Sequence, residues 1–423
     1  MSSSATEATF STSATSRNSN FSRSLVRKYL AGLRQGQIEL LECSGQRELL
    51  GSPAEDGLRV ELTVHQPDFY SSLIRRSELG LAESRMRGDW SSSDLTTLLR
   101  ILYRNSAARG GMRSLTGFIS QLLDRGRHWL ARNSLRGSQR NIAAHYDLGN
   151  EFFSLFLDPT MMYSSAVFDA EHPTLEQAAV HKLDCICRKL NLQPRHHVME
   201  IGTGWGGFAL HAAQNYGCRV TSTTISRRQF ELASRRIRDA GLEDRVTLLL
   251  QDYRTLSGTY DRLVSIEMIE AVGHDYLPVY FETCGRLLSP GGRMLVQAIT
   301  MPDQRYDSYR QSIDFIRRYI FPGGHLPSMT AMQQATARRT DLLLTAVEQF
   351  PDSYARTLRE WRSRFMSRLG EVREQGFDER FIRMWEYYFC YCEAAFLEQA
   401  VGVAHLIWER PGGPREGAGC ETA

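Results

Sequence analysis

The sequence predicts an α/β protein: a parallel, Rossmann-like sheet with helices on both faces, preceded by a small α+β domain. Three observations carry this. From Val198 onward, short apolar runs alternate with helical patterns. A glycine-rich turn, Gly202 to Gly207, joins the first of those runs to the first of those helices. Upstream of Asn141 the expected strands and helices show no such alternation.

In order along the chain, Phe21 to Leu33 has apolar residues at helical spacing, and Ile38 to Leu41 and Leu58 to Val64 are expected as strands. Phe69 to Leu81 is expected as a helix, followed by Gly88-Asp-Trp90 and a helix from Leu95 to Tyr103. In the second domain, Val198–Ile201, Arg219–Thr224, Val246–Leu250, Asp261–Ile266 and Met294–Ala298 are expected strands, with helices over Phe208–Tyr216 and Gln229–Ala240. Right-handed crossovers place the C-terminal ends of such strands on one edge, where these sheets bind ligands. The expected boundaries are a disordered arm over 1–20, the small domain over 21–105, a basic amphipathic connector over 106–140, the second domain over 141–410 and a flexible tail over 411–423.

At 423 residues the chain exceeds one ordinary core, since domains run to roughly 100–200 residues. No apolar run approaches the ~20 residues that cross a bilayer, so any membrane contact is expected to be peripheral. The eight cysteines lack paired C-x-x-C spacing, so no metal site is expected and a reducing cytoplasm fits them. The Ser/Thr-rich first twenty residues have no apolar h-region, and a disordered arm is preferred to a transit peptide of similar composition. Net charge is only +3, but Arg104 to Arg140 holds eight arginines against the single acid Asp124. A charge run is most often a solvated helix face; guanidinium groups also suit the phosphates of an anionic lipid surface.

Glu200-Ile-Gly-Thr-Gly-Trp-Gly-Gly207 follows an expected strand and opens a helix. Such a loop also serves dinucleotide sites or a structural tight turn. Two details favour S-adenosylmethionine (SAM). Glu200 stands at the strand end, where it can receive a cationic amino group, and Gly202, Thr203 and Gly204 depart from the pyrophosphate spacing. Asp252 and Tyr253 end the third strand, where an adenine amine and ring would meet them, while Thr224 ends the second strand with no acid for ribose hydroxyls, leaving Gln229 to help.

Several motifs together resemble one family. Asn141 to Phe168 (NIAAHYDLGNEFFSLFLDPTMMYSSAVF), the glycine loop, Thr224-Ile-Ser226 with Gln229, Glu270-Ala-Val-Gly273, Tyr319 to Pro327 (YIFPGGHLP) and Met384 to Phe396 (MWEYYFCYCEAAF) look like the cyclopropane-fatty-acid synthases and mycolic acid methyltransferases. Leu62 to Leu99 is similar to the small N-terminal domain of the bacterial synthases. The resemblance implies a SAM-dependent methyltransferase sheet with helical lid insertions. Its substrates would be unsaturated acyl chains of membrane phospholipids, met at the inner membrane surface by a cytoplasmic, peripherally bound enzyme that takes no nucleic acid; a homodimer is compatible with it. By the same resemblance Tyr163 and Ser164 bind the carboxylate end of SAM, Thr224 and Gln229 the ribose, and Tyr253 and Ile266 flank the adenine.

Methyl transfer to an alkene leaves a carbocation, which aromatic faces stabilise without trapping. Trp385, Tyr387, Tyr388, Phe389 and Tyr391 are candidates for one or two such faces, core packing being the reading for the rest. Ring closure needs a base, which in the family resembles a bound bicarbonate held by a Glu, a His, a Tyr and a backbone site beside a Cys. Carried onto this sequence, the Glu is Glu270 and the Tyr is Tyr354, but Ser165 replaces the Cys and Gln297 the His. Both replacements can hydrogen-bond an oxyanion, Ser165 through its hydroxyl and Gln297 through its amide, yet a neutral amide cannot carry an imidazolium's charge. The product implied by the resemblance is a cyclopropane ring, one methylene added across the double bond; loss of a different proton would give a methyl- or methylene-branched chain in its place. A small-molecule or protein methyltransferase would share the SAM loop without needing the basic connector. A nucleic-acid binder would use the arginines, but no nucleic-acid motif is present.

Overall fold

The structure is a computed structural model describing residues 10–107 and 148–413, with side chains from residue 20 to 105 and from 148 to 413. Most of the basic connector, from residue 108, and all of the tail beyond 413 lie outside the described residues. The chain divides into two compact units.

The first unit opens with α1 (Phe10–Ala31), β1 (Gly36–Leu41), β2 (Arg47–Ser52), β3 (Arg59–Val64), α2 (Asp68–Arg87), β4 (Trp90–Ser92) and α3 (Leu95–Ala107). Its sheet has the order β2-β1-β3-β4, with β1 and β3 parallel. Helix α1 begins inside the segment expected as a disordered arm. Val26 and Leu30 anchor it in the core, and once a turn is nucleated each further residue adds a hydrogen bond.

The second unit contains α4 (Asn150–Phe153), α5 (Leu175–Lys189), β5 (His197–Ile201), α6 (Gly207–Tyr216), β6 (Arg219–Thr224), α7 (Arg227–Asp239), β7 (Val246–Leu250), β8 (Tyr260–Ile266), α8 (Leu277–Leu287), β9 (Leu288–Thr300), α9 (Asp303–Arg310), α10 (Met329–Arg339), β10 (Leu343–Gln349), α11 (Pro351–Ser367) and β11 (Gly402–Glu409). Its seven strands run in the order β10-β11-β9-β8-β5-β6-β7. The strands from β9 to β7 are parallel, and β11 and β10 add an antiparallel edge. All five strands expected from sequence are present. The antiparallel pair β10–β11 was not expected, because neither segment follows the strand-helix rhythm.

Two apolar clusters cover the faces of this sheet. One gathers Met199, Leu263, Phe281 and Trp408; the other gathers Leu183, Val198, Phe208 and Val220. Side chains alternate along each strand, so a parallel sheet buried on both faces needs both layers. Helix starts are fixed locally: Thr174 and Gln177 form a capping box on α5, and the Ser226 hydroxyl accepts from the Gln229 amide at the start of α7. From β5 the chain steps outward through β6 and β7, then returns to lay β8 on the other side of β5. That reversal opens a crevice at the C-terminal ends of β5 and β8.

The expected second domain is not continuous. After α11 the chain enters α12 (Leu369–Glu374) and α13 (Glu379–Leu397), and the segment Leu369–Glu398 belongs to the first unit with Ile313–Phe315. The reason is side-chain pairing. Thr96 donates to Glu393 at 2.8 Å, Arg85 pairs with Glu386, and Arg100 and Arg104 both pair with Glu398. Arg104, counted among the eight arginines of the basic run, is thus committed to Glu398 and Asp56.

The aromatic cluster of α13 also belongs to this unit. Trp385 packs on Tyr388 and Phe389 at 5.4 and 5.6 Å, Tyr387 on Phe315 at 4.9 Å, and Tyr391 on Tyr103 at 5.6 Å. Trp385, Tyr387, Tyr388 and Phe389 are buried, in line with the core packing expected for all but one or two of these rings. Among the described residues, no helix is long and apolar enough to cross a membrane.

Candidate active site

The glycine loop leaves β5 at the crevice. Gly202, Gly204 and Gly206 have φ of 104°, 52° and 85°, a region that side chains rarely enter. A Cβ placed on Gly204 would meet no atom within 4 Å, so the loop presents open space there, as a close-lying cofactor requires. Thr203 is used internally, its amide donating to the Thr223 carbonyl and its hydroxyl bonding Ser222. Glu200 is buried at the end of β5, accepts from the Ser222 hydroxyl, and is pushed up to about 8 by burial. Thr224 and Gln229 come together, the threonine hydroxyl donating to the glutamine oxygen at 2.9 Å. Ile266 lies across the crevice at the end of β8.

Asp252 does not stand free for an adenine amine. Its carboxylate receives Arg254 in a two-pronged ion pair at 2.8 and 2.7 Å and caps the turn that follows. Adjacent Tyr253 packs edge-on against Tyr280, with the Arg254 guanidinium 5.5 Å from its ring. An open groove beside them is lined by Ile225, Arg227, Leu250, Gln251 and Asp252.

Three of the four residues expected to hold an exogenous base, Ser165, Gln297 and Tyr354, converge, but on a side chain of the protein itself. Glu267 follows β8 in a left-handed conformation, φ 47°. Its Oε1 accepts from the Ser165 amide at 2.9 Å and from the Gln297 amide nitrogen at 2.8 Å, and its Oε2 accepts from the Tyr354 hydroxyl at 2.7 Å. Ser165 therefore contributes its backbone; its hydroxyl turns away to the Ala166 carbonyl. Gln297 lies within β9, as expected, and the strand fixes it beside Glu267. Glu270 sits one short turn further on. One oxygen accepts from the Ile299 amide at 2.6 Å, and the other is buried without a partner.

Ser164 accepts from Lys182 at 2.7 Å, and that lysine is fully buried. Tyr163 is packed among aromatic rings: Phe153 at 5.2 Å, Trp361 at 5.3 Å and Phe321 at 6.1 Å. Tyr354 in turn meets Trp361 at 6.2 Å, so this unit carries its own aromatic faces next to the acid pair. Sequence reasoning missed Glu267 and Lys182. Each leaves a signal: Glu267 directly follows a strand and stands three residues before Glu270, and Lys182 falls on the apolar stripe of α5 between Ala178, Ala179 and Ile186.

The sequence profile described as mycolic acid cyclopropane synthetase matches residues 133–406 of this chain. The chain belongs to that family. It is similar to the tuberculostearic acid methyltransferase UfaA1 of Mycobacterium tuberculosis, with 40% identity over 380 residues, covering 85% of this chain and 86% of that protein. The cyclopropane-fatty-acyl-phospholipid synthase of Escherichia coli is 34% identical over 360 residues, covering 83% and 88%. Among solved structures, mycolic acid cyclopropane synthase CmaA1 complexed with SAH and CTAB gives a TM-score of 0.61 at 30% identity, over 64% of this chain and 98% of that one. This mycolic acid cyclopropane synthetase family member is a SAM-dependent methyltransferase, and the open cradle at Gly204 and buried Glu200 fit that co-substrate.

In this family member the two site acids differ in their surroundings. Burial raises both, and Glu270 is carried to about 8, first by burial and then by the charge of Glu267. Three donors oppose burial at Glu267, while Glu270 has one donor and an unpartnered oxygen. The pair's proton therefore rests on Glu270 and the charge on Glu267. Lys182, lowered to about 8 by burial, is opposed in that shift first by the charge of Glu267.

Two expectations follow. Gly204→Val puts a branched side chain into the open cradle and into a backbone conformation that costs it ~1–2 kcal/mol; calorimetric affinity for SAH should fall by about 100-fold, or 2.7 kcal/mol, with the circular dichroism spectrum retained. Glu200 and Glu270 hold protons in the fold that the unfolded chain releases. Their stabilising contribution is complete below about pH 4.5 and is lost as pH rises through about 8. The ligand-free protein should melt at lower temperature at pH 8 than at pH 6, and Glu270→Gln should flatten that profile in thermal scans.

Proposed function

We propose that the chain transfers a methyl group from SAM to a carbon–carbon double bond in a phospholipid acyl chain and yields an acyclic, methylene-branched product, with Glu267 as the proton acceptor. The observation that carries this reading is the Glu267 carboxylate bound by the Ser165 amide, Gln297 and Tyr354. Those positions are the ones the family resemblance gives to bicarbonate. A tethered carboxylate on the same donors leaves a free anion without them, and the charge repulsion disfavours a second one.

Bound SAM supplies an electrophilic sulfonium methyl. A new carbon–carbon bond forms as the sulfur–carbon bond breaks, leaving the positive charge on the other alkene carbon. A hydride shift moves that charge to the methyl-bearing carbon. Glu267 then takes a proton from the methyl, and the C–H electron pair becomes the double bond of the methylene branch. Direct loss of the methyl proton without the shift would close a ring of the same mass. Tyr163 and Phe321, half-buried and packed on the buried rings of Phe153 and Trp361, are the candidates for aromatic faces that stabilise the cation. Similarity to UfaA1, whose name is that of a methyltransferase, supports the acyclic outcome, and similarity to the Escherichia coli synthase supports the phospholipid substrate.

Proton NMR and mass spectrometry of lipids from expressing cells should show one added CH2, vinylidene protons and no upfield ring signals. Turnover in bicarbonate-free buffer should equal that with bicarbonate. Glu267→Gln should lose about 10³-fold in kcat, within the range of general-base catalysis. Glu267→Gly, which relieves the left-handed backbone and vacates the three donors, should recover turnover on adding bicarbonate. A bicarbonate-dependent wild type making cyclopropane rings would overturn the acyclic reading.

The substrate's location in a bilayer supports peripheral docking through the arginines from Arg109 to Arg140. Sedimentation with vesicles should be stronger for anionic than for neutral lipid and should weaken as salt rises; equal binding in all four conditions would count against it.

A further inference from the structure

The base assigned to Glu267 is held by an amide, and an amide has two ends that differ only in which one faces the acid. We propose that Lys189 and His405 form a positioning relay that fixes the Gln297 amide with its nitrogen toward Glu267. This rests on the reading of Glu267 as the base and extends it by naming what orients it.

The relay is set by the register of the sheet. Gln297 on β9 stands directly opposite His405 on β11, and both are buried. The Lys189 ammonium, at the end of α5, lies 2.8 Å from His405 Nδ1. A charged lysine has three donors and no acceptor, so Nδ1 must accept and the ring proton must sit on Nε2. Nε2 lies 3.0 Å from the Gln297 oxygen, which is therefore the acceptor of that bond. The amide nitrogen is left to face the Ser165 carbonyl at 3.2 Å and Glu267 Oε1 at 2.8 Å, both acceptors. Reversing the amide would set its oxygen against two acceptors and its nitrogen against the imidazole N–H, losing all three bonds at once.

Two neighbours hold the relay in place. Glu348 pairs with the Lys189 ammonium at 2.8 Å, and the Phe350 ring meets the imidazole edge-on at 4.7 Å. Burial and the Lys189 charge keep His405 well below the ordinary histidine range, so the ring stays neutral. Where the family resemblance has a histidine touching the anion directly, this chain has an amide there and a histidine one strand behind it.

The test uses the full chain with 15N-labelled histidine. The His405 signals, identified by their disappearance in His405→Phe, should report a protonated Nε2 and a bare Nδ1, and Lys189→Met should convert this to a mixture of tautomers. A parent chain with the proton on Nδ1, or Lys189→Met with an unchanged tautomer, overturns the relay; neither result needs turnover. In lipid assays His405→Phe should lose roughly 10- to 100-fold in kcat, the scale of a misplaced catalytic group, with KM for SAM unchanged. His405→Gln, whose amide nitrogen reaches the place of Nε2, should restore most of the loss. Parental turnover in His405→Phe while Glu267→Gln is inactive overturns the relay alone. Full turnover in Glu267→Gln removes the base assignment and the relay's part in catalysis with it.

Discussion

The site depends on the register of three adjacent strands. Ile266 at the end of β8 pairs with Gln297 on β9, and Gln297 pairs with His405 on β11. The next residue, Glu267, donates its backbone amide to the Gln297 carbonyl at 2.8 Å while its side chain receives the Gln297 amide. Its left-handed backbone, ~1–3 kcal/mol unfavourable for a residue with a side chain, is held by this double attachment. A one-residue slip of β9 would put Gln297 on the other face of the sheet and leave the carboxylate with two donors in a buried setting.

Around that frame the unit gathers buried charge that a simple core would exclude. Glu200 and Lys182 are buried in the second unit, Glu267 and Glu270 are half-buried there, and the two site acids are close enough for one to raise the other. Such groups are costly to bury unless paired or hydrogen-bonded. Here the donors are distributed unevenly, three to Glu267 and one to Glu270, so ionisation is assigned by hydrogen bonding and not by burial alone. The same asymmetry gives the crevice one carboxylate able to accept a proton and one that already holds it.

The parallel strands, the glycine loop and the residues around it were legible because their signals are local. Apolar runs of four to seven residues, an alternating helix pattern and Gly202-Thr-Gly204 after a strand are all read along the chain. Glu270, Tyr354, Ser165 and Gln297 were legible by family resemblance as one constellation. Which atoms they use was not. Ser165 offers its amide in place of its hydroxyl because the hydroxyl is spent on a neighbouring carbonyl, and Asp252 is taken by Arg254 two residues on. The α13 rings were expected as core for all but one or two, and the first unit claims their helix through Glu386, Glu393 and Glu398 on or just beyond it.

The sequence by itself determined the order of strands and helices in the sheet's parallel part, the cofactor loop and the class of chemistry, because periodicity, glycine and motif order act over a few residues. Tertiary structure alone decided that α13 completes the first unit, that β10 and β11 extend the sheet antiparallel, and that Glu267 takes the donors kept for an anion. Each of those outcomes joins residues far apart in the chain: Arg104 to Glu398, Gln297 to His405, Ser165 to Glu267. Hydrogen bonds of fixed length and direction select such partners only after the backbone has placed them, so no spacing along the chain encodes them.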